Sequence, residues 1–237
     1  MINKKIDKKA LAHILSFKYG PDLLGVITGL KPSARCVIKE NEAGSFVDFC
    51  DRYNLKYTFS DYRYNILQNQ VLAKNKASNI LIIYISKGST LCEKLKYFDE
   101  IDEKITGRLL GYPDCCIEFY LDLVKNKNRQ NIDFVRETNA NTEKKMDFRL
   151  NNLREWCSGL QIDYSLVDFF PCSYDCKKAL KYAKNIFGYI EKIDKKQANS
   201  IKKQLTKPIV YYENKCAKQI SRPISKVKKG EEILVFE

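Results

Sequence analysis

Histidine is almost absent: His13 is the single one in 237 residues. Ser-His-Asp and Cys-His chemistry need an imidazole held by a third group, and one histidine near the start of the chain leaves such machinery a single candidate. Its plainer reading is a helix residue. Long apolar runs are absent too. The longest, Leu23 to Ile27 and Ile80 to Ile85, fall far short of the ~20 residues that span a bilayer. The lysines at 4, 5, 8 and 9 precede only a short segment, Ala10 to Phe17, which contains His13. That pattern reads as a helix start, not a signal peptide. The expectation is a cytoplasmic protein with no membrane partner. A Walker loop is missing as well. Lys87-Gly88-Ser89-Thr90 follows an apolar strand, and free N–H groups there can hold an anion. Without the glycine spacing of a phosphate loop it reads as an ordinary strand-to-helix turn.

What is present begins with cysteine. There are nine, an odd count in a chain long enough to bury a core without disulfide staples. In a reducing compartment they are thiols or metal ligands. Cys36, Cys50, Cys92, Cys157 and Cys216 stand singly and read as small buried apolar residues. The formal charge is +13; from Pro171 onward 16 Lys and Arg face 7 Asp and Glu, a net of +9. Such a surface attracts nucleic acid or a small anionic substrate. The same lysines also fit a general compositional bias.

Periodicity and punctuation predict the elements. Helices are expected over Asp7 to Lys18, Leu23 to Gly29, from Leu91, over Ile101 to Leu110 and over Asp114 to Val124. Phe46 to Leu72 reads as two short helices around Asn54, and Asn141 to Trp156 as a further helix. Ser173 is a candidate N-cap for a helix over Tyr174 to Tyr189, and Lys192 to Leu205 follows. Ile80 to Ser86, Pro208 to Tyr212 and Ile233 to Phe236 are candidate strands of one small mixed β-sheet. The fold class is helix-rich α+β, with residues 1–237 as a single domain.

The chemistry concentrates in Gly111-Tyr112-Pro113-Asp114-Cys115-Cys116 and Phe170-Pro171-Cys172-Ser173-Tyr174-Asp175-Cys176. Each segment opens with a turn signal and runs into an amphipathic pattern. Both pairs fall at expected helix starts, where unpaired N–H groups and the dipole favour thiolate. Cys115, Cys116, Cys172 and Cys176 are the candidate metal ligands. Sulfur ligation suits zinc or an iron–sulfur cluster. Neither pair has the C-x2-C spacing of zinc knuckles, and adjacent helix residues diverge by about 100°, so this reading favours the cluster. If one of the four does not ligate, the cluster keeps an open iron. Packing cysteines without metal, or a redox disulfide between Cys172 and Cys176, are the alternatives. Asp114 and Asp175 lie beside ligand positions and can move protons, yet first-turn aspartate is also favoured by the helix dipole alone. No catalytic residue can be assigned.

Leu109-Leu110-Gly111-Tyr112-Pro113-x-Cys115-Cys116, followed by Pro171-Cys172-Ser173-x-Asp175-Cys176, resembles an uncharacterised archaeal family found largely in methanogens and catalogued as a domain of unknown function. The resemblance implies a family domain over most of the chain and an anaerobic setting that suits an oxygen-sensitive cluster. Two functions follow as expectations. One is an iron–sulfur redox or sulfur-transfer enzyme acting on a small anionic molecule or an RNA base. The other is a non-catalytic, zinc- or cluster-braced module that binds RNA.

Overall fold

The computed structural model describes residues 6–65, 70–72, 78–127, 132–157, 160, 162–212, 217–220 and 228–237. In chain order the helices are α1 (Lys8–Leu15), α2 (Gly20–Thr28), α3 (Ala43–Arg52), α4 (Ser89–Phe98), α5 (Glu103–Leu109), α6 (Asp114–Asn126), α7 (Phe134–Ala140), α8 (Leu153–Trp156), α9 (Lys177–Ile193) and α10 (Lys195–Leu205). The strands are β1 (Ser33–Lys39), β2 (Lys56–Asn65), β3 (Gln70–Leu72), β4 (Ile80–Ser86), β5 (Ile209–Tyr212), β6 (Ala217–Gln219) and β7 (Glu231–Leu234). The helix-rich α+β class is as expected. By packing, the chain falls into two compact units, Gly25–Tyr112 and Met1–Leu24 with Pro113–Glu237.

In the unit Gly25–Tyr112, β4 is the organising strand. Its run Ile-Leu-Ile-Ile-Tyr-Ile is β-branched and apolar on both faces, as a central strand requires. It lies between β1 and β2 in a sheet of order β1-β4-β2-β3. Ser33 pairs with Ser86 and Lys39 with Ile80 along β1. Against β2 the register shifts between Phe59 and Arg63, an irregularity in the pairing. Leu95 of α4 and the neighbouring Leu109 and Leu110 pack on Ile82 and Tyr84. The Tyr84 hydroxyl donates to Asp99 at 2.6 Å, which also pairs with Arg35 at 2.8 Å.

The second of the two helices expected in Phe46 to Leu72 is instead strand. After α3, Asn54 takes a left-handed φ of 51° and turns the chain. Tyr57, Thr58, Phe59 and Tyr62 then favour a pleated surface, and this is β2. The turn at Lys87-Gly88 is ordinary: Gly88 caps α4 and its N–H is already held by the Ser86 hydroxyl.

α5 ends in a Schellman turn. The N–H of Tyr112 reaches the Gly107 carbonyl and that of Gly111 the Arg108 carbonyl, both at 3.0 Å. Gly111 has φ 79°, the left-handed value that favours glycine. A Cβ there would stand 2.5 Å from Cδ of Pro32.

The other unit carries α9 as its longest helix. Ala179, Ala183, Ile186, Phe187 and Ile190 form its buried stripe. Ala198, Ile201 and Leu205 do the same on α10. β5 is the middle strand of a sheet β6-β5-β7. The one mixed sheet of the sequence reading is therefore two sheets: β4 belongs to the first, β5 and β7 to the second. Every strand pair among the described residues is antiparallel. Only an isolated bridge, Met146 to Phe236, is parallel.

Two helix expectations shift here. Asn141 to Trp156 is not a continuous helix. α7 precedes it, a 3-10 turn occupies Phe148–Leu150, and only α8 is helical. Asparagine side chains compete with helix formation by bonding backbone elsewhere. Asn151 donates to the Leu205 carbonyl and Asn152 to that of Phe169, each at 2.8 Å. α9 also starts three residues later than read. Its N-cap is Cys176, because the Ser173 hydroxyl bonds the Asp175 carboxylate at 2.6 Å instead.

Candidate metal centre

α6 opens with Pro113 as its N-cap at φ −62° and ψ 134°. That fixed φ presets the turn and puts Cys115 and Cys116 in the first helical turn. Cys116 is 3% exposed, while Cys115 is half-buried. The second pair arrives on an irregular segment. Cys172 lies half-buried in the loop before α9. Cys176, 7% exposed, caps α9.

All four sulfurs lie within 4.8 Å of one another. Cys115 Sγ is 4.0 Å from Cys116 Sγ and 3.7 Å from Cys176 Sγ. Cys116 and Cys176 are 3.9 Å apart. The backbone N–H of Cys172 donates to Cys116 Sγ at 3.4 Å. The sequence-predicted ligands are thus brought together, and the four can hold a metal ion.

Crowded thiols share protons unevenly. Cys176 accepts from the Cys116 and Cys172 thiols, which pull it down to about 2. Cys116 is pushed well up, first by its hydrogen bonds with Cys172 and Cys176 and then by burial. For Cys172, a hydrogen bond with Cys116 lowers the thiol, but the bond with Cys176 and burial outweigh it and lift it to about 12. The arrangement favours one thiolate ringed by S–H donors. A cation held at the centre would take the place of those protons, since metal ligation requires thiolate.

The loop that carries Cys172 is clamped by the end of α7 and the residues after it. The Thr138 hydroxyl donates to the Pro171 carbonyl at 3.0 Å, and the Asn141 amide to the Cys172 carbonyl at 2.7 Å. The Tyr174 N–H donates to Thr142 Oγ1 at 2.9 Å, and that of Lys144 to the Asp175 carboxylate at 3.1 Å. The Asp147 N–H reaches the Tyr174 carbonyl at 3.1 Å. Phe170, two residues before Cys172, joins a ring stack: Phe134 lies 5.4 Å from Tyr120 and 4.2 Å from Phe170, nearly parallel to both. Tyr174 meets Phe236 edge-on at 5.0 Å.

Sequence reasoning missed Thr138, Asn141 and Thr142. The signal was available in Asn139-Ala140-Asn141-Thr142, whose polar residues mark the end of α7. Asp175, considered for proton transfer, holds the loop through Ser173 and Lys144. Asp114 is exposed on the first turn of α6. Among the other cysteines, Cys36, Cys50 and Cys92 are buried. Burial pushes the Cys50 thiol up to about 12. Cys157 is half-buried, and Cys216 lies outside the described residues. His13 packs its ring edge against Phe17 at 5.5 Å. No helix among the described residues is long and apolar enough to cross a membrane.

Comparison with known proteins adds context. The model of a family described as "Protein of unknown function (DUF483)" matches residues 68–206, a span that contains all four cysteines. An uncharacterized protein of Methanocaldococcus jannaschii is 24% identical over 120 residues, which are 50% of this chain and 57% of that protein. The match thus covers a little over half the length of that relative. No solved structure matches.

Proposed function

We propose that this chain, which belongs to the DUF483 family of proteins of unknown function, is a metal-binding protein in which Cys115, Cys116, Cys172 and Cys176 hold one zinc ion as a closed structural brace. The observation that carries this reading is the mutual spacing of the four sulfurs, none further than 4.8 Å from another. Four thiolates at zinc–sulfur distances of ~2.3 Å stand ~3.8 Å apart on the edges of a regular tetrahedron. The separations of 3.7, 3.9 and 4.0 Å lie close to that edge. In a cubane cluster each cysteine binds its own iron, which spreads the sulfurs to roughly 6 Å. The compact spacing therefore supports a single ion over the cluster that the sequence favours.

A site with four protein sulfurs is closed, and closed all-sulfur sites are the structural zinc pattern. Zinc bound there leaves no position for a substrate, so the reading is non-catalytic. Four thiolates and one dication carry a net negative charge, which the N-termini of α6 and α9 offset. The bound ion supplies folding free energy by tying the α6 turn to the α9 cap.

The test is purification without oxygen, followed by metal and acid-labile sulfide analysis. The expected protein is colourless with one zinc per chain and no sulfide. Replacement by cobalt(II) should give the visible bands of tetrahedral thiolate coordination. A brown protein with iron and sulfide in comparable amounts would overturn the reading and restore the cluster.

A further inference from the structure

α9 leaves the metal centre with a row of lysines on its outer surface. Lys177, Lys178, Lys181 and Lys184 are exposed. None of the four has a hydrogen-bond or ion-pair partner among the described residues. Lys177, Lys181 and Lys184 follow the i, i+4, i+7 spacing that places residues on one helix face. At 1.5 Å rise per residue they are separated along the axis by ~6 and ~4.5 Å.

Helix stability does not account for these residues. Cations in a first turn oppose the positive end of the macrodipole, and α9 has no acidic residue in its first turn. Lys177 and Lys178 directly follow Cys176 in the chain, where a metal–thiolate centre would give their charge a role. Lys181 and Lys184, one and two turns further on, are left without that role. General lysine bias does not account for them either. The whole chain carries 42 basic against 29 acidic residues. From Lys177 to Lys207 there are ten lysines against Glu191 and Asp194, and Asp194 is used as the N-cap of α10. Lys195, Lys196, Lys202 and Lys203 are exposed on α10.

We infer that the lysine ridge of α9, extended by the lysines of α10, is a docking surface for the phosphate backbone of single-stranded RNA. The stretch from Lys177 to Lys207 holds no arginine, so it lacks the planar fork that reads base edges and offers point charges for phosphates. A flexible strand can lay successive phosphates along the α9 lysines and bend at Asp194, where the backbone leaves helical geometry before α10. A duplex is too stiff over such lengths to follow. RNA is the nucleic acid that cells hold single-stranded. The inference goes beyond the metal brace and needs only that α9 is formed.

The test is fluorescence anisotropy of a labelled, unstructured RNA oligonucleotide with the metal-loaded full chain, over a salt series. Binding should weaken steeply with salt through counterion release. In K177Q/K181Q/K184Q the log–log salt slope should become shallower by about 2, and affinity near physiological salt should fall roughly tenfold or more. K181Q/K184Q, which leaves the first turn of α9 intact, should show a smaller loss of the same kind. K56Q/K87Q/K94Q removes the same charge from exposed positions in the other unit and should leave the slope unchanged. Zinc content and circular dichroism of each variant report the brace separately, so a failed metal reading and a failed ridge are distinguishable. Equal losses in the two triple variants, or no binding at low salt, would sink the proposal. So would duplex DNA or phosphatidylserine vesicles binding more tightly than the RNA.

Discussion

The Asn141 amide donates to the Cys172 carbonyl across 2.7 Å, so a residue at the end of α7 holds the loop that presents a candidate ligand. Outer partners of metal ligands usually matter by 10–100-fold in affinity. Asn141 is exposed, which places Asn141→Ala at the lower end: about tenfold weaker zinc binding. Competition with a chromophoric chelator reads this directly. Unchanged affinity would mean that Thr138 and Thr142 hold the loop without it.

The closed site proposed above would make all four cysteines necessary. Single serine substitutions at 115, 116, 172 and 176 should each abolish stoichiometric zinc after dialysis against a mild chelator. Full zinc retention in any one of them would show that three sulfurs suffice and that one coordination position is open.

Gly111→Ala places a methyl against Cδ of Pro32 at 2.5 Å and forces an L side chain into φ 79°. The expected destabilisation is about 1–3 kcal/mol, measured as a lower midpoint in urea with an unchanged slope. A loss under about 0.5 kcal/mol would mean that the turn relaxes freely.

Alkaline pH should unfold the chain cooperatively. Burial is the first cause that raises the phenols of Tyr84, Tyr174 and Tyr211 above their ordinary range. A folded pKa above the unfolded value of ~10 means that this stability is full below about pH 10 and is lost as pH rises through the folded values. Phenolate absorbance and far-ultraviolet circular dichroism, followed together, should show a late group of tyrosines that ionises only as helix is lost. One non-cooperative step for all fifteen tyrosines, with the fold intact, would contradict this.

Metal removal tests whether the chain unfolds as one domain, which we propose. The chain passes between the two packing units within α2 and again between Tyr112 and Pro113. If they unfold together, stripping the metal should lower the hydrogen-exchange protection of slow amides in β4 and in β5 by the same free energy. Protection lost only in β5 would identify two independently folding domains.

The gathering of the cysteines was legible because Pro113 and the two cysteine pairs are local, strongly punctuated signals. β4 was legible because a β-branched apolar run has few other uses. β2 was not, since Tyr57, Phe59 and Tyr62 fit a helical as well as a strand spacing until pairing with β4 decides. The clamp escaped notice for a similar reason: Asn141 acts on the Cys172 carbonyl and Thr142 on the Tyr174 N–H, each some thirty residues away. The number of metal ions was beyond sequence because it depends on distances between sulfurs. Vicinal cysteines do diverge on a helix, yet the Cys115 and Cys116 sulfurs stand 4.0 Å apart.

The unequal burial of the four sulfurs carries a kinetic consequence. Cys116 and Cys176 are walled in, while Cys115 and Cys172 are half-open. An incoming chelator or competing ion meets the second pair first. Exchange should then pass through an intermediate in which the ion hangs on the two inner sulfurs. For the zinc proposed above, residence time would depend on that exposure as well as on the strength of the four bonds.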